Sequence, residues 1–115
     1  MGDEDVWNPS NSLARTFLGQ ADVLSQLAGK ETGLGEIIED ECQIDPAVFT
    51  DFVDTLVKTY QESNNEALRA LLKGFTSVAL VLVERIGCDA PSVMSEYSEM
   101  WTTERDAYAR SMPRD

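Results

Sequence analysis

The sequence predicts an all-α fold, a small helical bundle of about four main helices with an extended N-terminal arm. Apolar residues recur at three- and four-residue spacing through most of the 115 residues, which is the repeat of a helix with one buried face. The segments between these repeats are short and carry the Gly, Pro, Ser and Asp residues that begin and end helices. The length fits a single helical domain over residues 1–115, of which 1–11 are the extended arm.

Local signals predict the arm and the first helix. Pro9 lies near the end of the arm, and the residue before a proline avoids the helical conformation. The first helix is predicted over residues 12–28, because Gly29 follows at the usual position of a C-terminal cap. A glycine-rich connection over residues 29–35, interpreted as a flexible turn, precedes a short helical turn over residues 36–41. The apolar face of the first helix is predicted to comprise Leu13, Phe17, Ala21, Leu24 and Leu27 or Ala28.

The second helix has the clearest boundaries. Asp45 is a good N-cap, and Pro46 suits the first helical position, where a backbone N–H is not needed. This helix is predicted to end near Glu62. Ser63 and Glu66 then match the capping box that begins a third helix. The apolar face of the second helix comprises Phe49, Phe52, Val53, Leu56, Val57 and Tyr60.

The third helix, predicted over residues 65–86, is apolar on almost every side. Its run 78–83 has the composition of a buried strand, but it continues a helical pattern without a breaker and is therefore interpreted as helix. A helix of this kind is normally central, covered by its neighbours or by a second subunit. A homo-oligomer through this helix is accordingly one prediction. Gly74, in its middle, is expected to mark a close helix crossing.

The fourth helix is predicted to start between residues 89 and 92, after Gly87 closes the third, and to run to about residue 111. Basic residues near its C-terminal end, among them Arg110, complement the helix dipole and need no further function. The predicted apolar face comprises Val93, Tyr97, Met100, Trp101 and Tyr108.

The charge balance bounds the kind of partner. The chain has 21 acidic and nine basic residues, a net charge of −12 and an isoelectric point near 4.2. Such a charge repels nucleic acid phosphates and anionic membrane surfaces, so neither is expected as a partner. It attracts basic proteins or cations, or it simply keeps the protein soluble. Residues 30–62 hold nine acidic and two basic residues, so a charge-based function is expected there.

Two residue types that carry much enzyme chemistry are scarce. The chain has no His and only two cysteines, Cys42 and Cys88, which excludes a Cys–His or Ser–His–Asp mechanism within the chain. A zinc site would need carboxylates as further ligands, and no cofactor is expected. Sparse cysteines and an acidic start are typical of a cytoplasmic protein, although a disulfide between the two cysteines is an open alternative. The longest apolar run has six residues, far fewer than a membrane span requires.

Carboxylates form the sharpest candidate site. The candidate acidic surface comprises Glu36, Glu39, Asp40, Glu41, Asp51 and Asp54. The Glu36-x-x-Glu39 and Asp51-x-x-Asp54 pairs are similar to the acidic motifs of all-α nucleotide pyrophosphatases of the MazG type, a resemblance that implies Mg²⁺ or Mn²⁺ held against a substrate phosphate. The apolar stripe of the second helix, however, leaves Asp51 and Asp54 on the solvated face, whereas metal ligands should point into the bundle. A solvated acidic surface and a divalent-cation site are therefore alternative interpretations.

Trp7 is the aromatic residue that no helical stripe explains. It precedes the first helix, so it either anchors the arm on its own bundle or inserts into a partner. Tryptophan is enriched among the residues that dominate protein interfaces. Trp7 is therefore the candidate partner anchor.

Several runs of residues resemble a small family of uncharacterised actinobacterial proteins. These runs are Trp7-Asn8-Pro9-Ser10-Asn11, Thr32-Gly33-Leu34-Gly35, Asp40-Glu41-Cys42-Gln43-Ile44-Asp45 and Glu62-Ser63-Asn64. The resemblance extends over most of the chain. It implies a bacterial cytoplasmic origin and no established activity, so it transfers no site residues.

The leading hypothesis is a non-enzymatic protein-binding module, either an immunity- or antitoxin-like inhibitor of a basic partner or an oligomerising accessory protein. It rests on a complete helical core, concentrated negative charge and the lack of a catalytic constellation in the sequence. One alternative is a Mg²⁺-dependent nucleotide pyrophosphatase-like hydrolase that uses the acidic residues; this hypothesis alone requires Mg²⁺ or Mn²⁺. A further alternative is a small-molecule-binding bundle with a pocket between the third and fourth helices.

Overall fold

A computed structural model describes residues 7, 9–38 and 41–113 of the chain. Within them, four helices and a small two-stranded antiparallel sheet follow one another along the chain. The predicted all-α class is confirmed, with the hairpin as an addition. The elements are α1 (Asn11–Ala28), β1 (Leu34–Ile38), β2 (Glu41–Ile44), α2 (Pro46–Glu62), α3 (Glu66–Arg85) and α4 (Ser95–Ala109).

The first two helices begin and end where local chemistry places their caps. The Ser10 hydroxyl accepts a hydrogen bond from the Leu13 amide at 3.2 Å and begins α1, and the Asp45 carboxylate accepts one from Val48 at 3.2 Å and begins α2. Gly29 ends α1 with a positive φ of 66°, a conformation that costs glycine little. The predicted Asp45 cap and the end of α2 at Glu62 are confirmed.

The predicted capping box of α3 is wrong. Asn65 is the N-cap, and its side-chain oxygen accepts a hydrogen bond from the Leu68 amide at 3.0 Å. The Ser63 hydroxyl instead accepts the Asn65 amide at 3.1 Å, so it shapes the turn that leads to the cap. Asn is as good an N-cap as Ser and lies directly before the first helical residue, Glu66, which explains the shift by two positions.

Helix α4 begins later than predicted, at Ser95. The preceding segment is held out of a helix by α2, because the Ser92 amide donates to Asp54 at 2.8 Å and the Met94 amide donates to Gln61 at 3.0 Å. These backbone N–H groups are satisfied by side chains from another element, so the helical pattern cannot extend back to residue 89.

The predicted helical turn over residues 36–41 is wrong, because this segment contributes to a β-hairpin. Leu34 pairs with Ile44 and Ile37 pairs with Cys42, with an irregularity between these two pairs. Two consecutive β-branched isoleucines favour a strand. The Asp45 amide donates to the Gly33 carbonyl at 2.8 Å and closes the open end of the hairpin.

Gly33 is fixed rather than flexible, in contrast to the sequence interpretation. Its φ is +76°, and a Cβ atom added there would lie 2.6 Å from the Phe49 amide nitrogen and 3.0 Å from the Asp45 carbonyl oxygen. No side chain fits in that space. The hairpin is therefore seated directly on the first turn of α2.

The core lies between α2, α3 and the faces of α1 and α4 that meet them. Its largest fully buried side chains include Phe49, Phe52, Leu56, Leu72 and Leu82. Phe17 of α1 stacks on Phe75 of α3 with ring centroids 4.8 Å apart. The close helix crossing predicted at Gly74 is wrong: a Cβ there meets no atom of the described residues within 4 Å.

Among the described residues, no helix combines the length and the apolar character needed to cross a membrane. Cys88 is a free thiol and is half-buried. The predicted disulfide alternative also involves the side chain of Cys42, which lies outside the described part of the chain.

Candidate functional site

The two carboxylates of α2 that the sequence singled out have different partners. Asp51 is exposed and forms an ion pair with Lys30 at 3.0 Å. Asp54 is half-buried and accepts two hydrogen bonds from Ser92, at 2.8 Å from the amide and at 2.6 Å from the hydroxyl. Asp54 thus fixes the connection before α4, and both of its oxygens are engaged by protein.

Two of the other acidic candidates, Glu36 and Glu41, belong to the strands of the hairpin and not to a helical turn. Glu36 lies in β1 and Glu41 in β2, whereas Glu39 and Asp40, like the side chains of Glu36 and Glu41, lie outside the described residues. The helical surface predicted from the spacing of Glu36 and Glu39 is wrong at Glu36, because this residue belongs to a strand. Among the described residues, no group of three or more His, Cys, Asp or Glu side chains is placed to hold a metal ion.

A polar network joins α2, α3 and the start of α4. The Arg69 guanidinium donates to the Tyr60 carbonyl at 3.0 Å and to the Tyr97 hydroxyl at 2.9 Å, and lies 4.9 Å from the Tyr60 ring centroid. Gln61 donates to the Ser92 carbonyl at 2.8 Å and accepts the Met94 amide. These contacts hold α4 in place, and the side chains that form them already have hydrogen-bond partners within the chain.

An apolar groove of about 780 Å³, hereafter the α1/α3 groove, lies between α1 and α3. Trp7, Phe17 and Phe75 lie at its base and are buried. Its walls are formed by residues on both helices that are exposed or half-buried. They include Leu13, Thr16, Gly19, Gln20, Val23, Ala70, Leu71, Gly74 and Val78.

The walls of the groove carry a helical repeat of their own. On α1, the wall residues 13, 16, 20 and 23 lie three or four positions apart, with apolar residues at 13 and 23 and polar ones at 16 and 20, and on α3 residues 71, 74 and 78 have the same spacing. This is the spacing of a seam that receives another helix. Leu71 is 75% exposed and Val23 is 66% exposed, which is unusual for large apolar side chains clustered on one face.

The charge of the groove differs from that of the chain. Helix α1 has one Arg and one Asp, and α3 has three basic and two acidic residues, so the two helices sum to +1 in a chain of −12. The remaining residues therefore carry −13. Arg15 is the one charged residue among the described residues that line the groove.

Trp7 lies at the base of the α1/α3 groove. It is 1% exposed, and its ring meets Phe17 edge-on with centroids 5.3 Å apart. This burial fits the first of the two alternatives stated for Trp7, contact with its own bundle, and its use as a partner anchor stays a prediction. The indole is covered by the chain's own residues and supports the groove from within.

A second cavity, of about 200 Å³, lies between α3 and α4, where the small-molecule alternative expects a pocket. Leu80, Cys88 and Trp101 line it, and the ion pair of Arg105 with Glu84, at 2.9 Å, lies at its edge. Ligand sites usually have volumes of about 300 to 1,000 Å³. This cavity is therefore below the usual size of a small-molecule site.

Sequence reasoning missed the α1/α3 groove because it placed Leu13 on the apolar face of the first helix and described the third helix as apolar on almost every side, without indicating that Leu13 and Leu71 are exposed. The signal in the sequence was Val23, a large apolar residue outside the predicted apolar face of the first helix. A pattern of this kind shows that a face is apolar, but not whether the protein's own chain covers it.

A family model matches residues 1–114, and its description is a family of unknown function, DUF6086. The chain belongs to the DUF6086 family. None of the curated proteins and none of the solved structures that were compared matches it. The resemblance to an uncharacterised family is thereby confirmed for this DUF6086 chain, while an actinobacterial source stays a prediction.

Proposed function

We propose that this DUF6086 protein is a non-enzymatic protein-binding module and that the α1/α3 groove is its binding surface. The observation that carries the proposal is the clustering of exposed apolar side chains, Leu13, Val23 and Leu71, around a groove of about 780 Å³. Apolar patches of this kind on a small domain typically mark interaction sites. We also propose the cytoplasmic location that was expected from the sequence.

The acidic surface is the weaker candidate for the same role. Asp54 is engaged by Ser92, and Asp51 by Lys30, so recruiting either carboxylate to a basic partner would break an existing contact. The acidic surface predicts an association that weakens with salt. The groove predicts an association that persists in salt, because burial of apolar surface drives it.

Site-specific photo-cross-linking in the source cells tests the proposal. In one variant, Thr16, which is exposed on the wall of the groove, is replaced by the photoreactive residue p-benzoylphenylalanine. In the matched control variant, the same photoreactive residue replaces Lys58, which is exposed on α2. We expect one dominant protein adduct from position 16 and none from position 58, with the partner identified by the mass of the adduct. Adducts from neither position, or the same adduct from both, would overturn the proposal.

A further inference from the structure

We infer that the occupant of the α1/α3 groove is a second copy of this chain, in a twofold dimer that packs α1 and α3 against the same helices of the partner copy. The inference rests on the proposed function, since it names the partner of that binding surface. Three properties of the groove support it: its charge, its shape and its periodicity.

Charge favours a second copy over a basic partner. The two groove helices sum to +1, whereas the rest of the chain carries −13. Two chains that each carry −12 repel one another, and this repulsion costs the least association energy where the two surfaces that meet carry little charge. At the groove they meet through a surface that is almost neutral. A basic protein, in contrast, would be attracted to the acidic residues outside the groove.

The shape of the groove is suited to pairing with itself. A twofold interface uses the same patch on both copies, so the patch must carry both the protruding and the recessed features. Leu71 and Val23 protrude into solvent, whereas Gly19 and Gly74 leave space in which an added Cβ meets no described atom within 4 Å. Protruding side chains of one copy therefore have recesses to enter on the other.

The periodicity of the walls fits helices as the occupants. The α1 stripe from residue 13 to 23 is about 15 Å long at 1.5 Å per residue, and its alternating spacing is that of side chains that pack into the gaps of a neighbouring helix. Helices α1 and α3 of a second copy carry matching stripes. No further protein is needed to supply them.

The experiment is sedimentation velocity of the full chain over a range of concentrations, with wild type compared with two groove variants. We expect wild type to sediment at twice the monomer mass of 12.7 kDa. Leu71→Asp should raise the dissociation constant at least about 100-fold, because it places a charge in an apolar seam. Gly74→Leu should do the same by filling the recess, and it has room to fold because nothing among the described residues lies within 4 Å of the added Cβ.

A matched control and a salt series sharpen the test. Met94→Asp makes the same change at an exposed apolar residue outside the groove and should leave the dimer unchanged. Raising the salt from about 50 to 500 mM should tighten the dimer or leave it unaffected, because two acidic chains repel less when screened. Helical circular dichroism of each variant checks that it has folded.

The outcomes separate this inference from the proposed function. A monomer at concentrations up to about 1 mM, or a dimer that both groove variants retain, would overturn the inference. If the protein is a monomer but the cross-linker at position 16 forms an adduct with a different protein, the proposed function still holds and the groove binds that protein. If neither a dimer nor an adduct is found, both the inference and the proposed function fail.

Discussion

The two sides of α3 are built differently. On the side that meets α2 and α4, Arg69 bonds to the Tyr60 carbonyl and the Tyr97 hydroxyl, and the segment before α4 is bonded by Asp54 and Gln61. On the side that meets α1, contacts such as the stacking of Phe17 on Phe75 are apolar, and the space beyond them is open. One side is closed by directional bonds, whereas the other leaves apolar surface in solvent.

This difference separates residues that hold the fold together from residues that are free for binding. Hydrogen bonds between buried or half-buried groups fix one geometry, and breaking them leaves polar groups unsatisfied. Exposed apolar side chains contribute little to the stability of the monomer and gain free energy only when something covers them. The free energy of unfolding distinguishes the two groups, because only residues that hold the fold together should lower it strongly when they are replaced.

The largest contrast is expected between two neighbours in the sequence. Leu72 is 0% exposed and Leu71 is 75% exposed. Leu72→Ala should lower the free energy of unfolding by about 2–5 kcal/mol, whereas Leu71→Ala should change it by about 0.5 kcal/mol or less. Urea denaturation at a concentration where the protein is monomeric measures both. Equal losses for the two variants would contradict the assignment of Leu71 to the groove.

The next largest effect is expected from Arg69, on the side of α3 that meets α2 and α4. Arg69→Met keeps much of the side-chain length but leaves the Tyr60 carbonyl and the Tyr97 hydroxyl without their donor and removes the contact with the Tyr60 ring. We expect a loss of about 2–4 kcal/mol in the free energy of unfolding. Lys58→Met, at an exposed position of α2, is the control and should be nearly neutral. A loss below that of the control would show that the network contributes nothing.

The two acidic residues of α2 should likewise differ in how much they contribute to the stability of the fold. Asp54→Ala removes both acceptors of Ser92 and should cost about 1–3 kcal/mol. Asp51→Ala removes an exposed ion pair with Lys30 and should cost about 0.5 kcal/mol or less. Thermal unfolding of the two variants in the same buffer makes the comparison, and an equal effect of both would show that Asp54 acts as a surface charge only.

The smallest effect is a pH dependence at the surface of α3. The hydrogen bond to Glu104, with the attraction of its charge, raises the pKa of Lys73 above 10.5, although partial burial opposes this shift. Because the folded state holds the proton more tightly, the stabilisation is complete below the unfolded pKa of 10.5 and is lost as the pH rises through the folded pKa. With both side chains partly exposed to solvent, we expect about 0.5 kcal/mol or less.

A double-mutant cycle isolates this pair from the tyrosines that also titrate at alkaline pH. Lys73→Met, Glu104→Gln and the double variant are unfolded in urea at neutral pH and again above the folded pKa. The coupling free energy should be present at neutral pH and vanish at the alkaline pH. A coupling that is the same at both values would rule out the ion pair as its source.

The fold class and the limits of α1 and α2 were predictable because their signals are local. A cap acts between residues three apart, as with Asp45 and Val48, and an amphipathic repeat can be recognised within a few turns. The hairpin was missed, and a short helical turn was predicted over residues 36–41 instead, although Ile37 and Ile38 favour a strand. Its pairing of Ile37 with Cys42 and its seat at Gly33 depend on contacts with other segments.

The candidate site could be predicted only in part. The sequence correctly placed Asp51 on an exposed helical surface, but the partner of Asp54 lies 38 residues further along the chain. The α1/α3 groove, likewise, was visible only as apolar residues that any core would contain. Which of these residues the chain itself covers depends on how closely α1 approaches α3.

The sequence by itself determined the presence of four helices, the caps at Gly29 and Asp45, the net charge of −12 and the chemistry that a chain without histidine excludes, because each depends on residue types or on neighbours within a turn or two. The tertiary structure alone decided that Trp7 supports the groove from within, that Arg69 and Asp54 join α4 to the bundle, and that Leu71 is left in solvent. Burial is a property of packing between distant segments, so an apolar pattern indicates a face that can be covered but not what covers it.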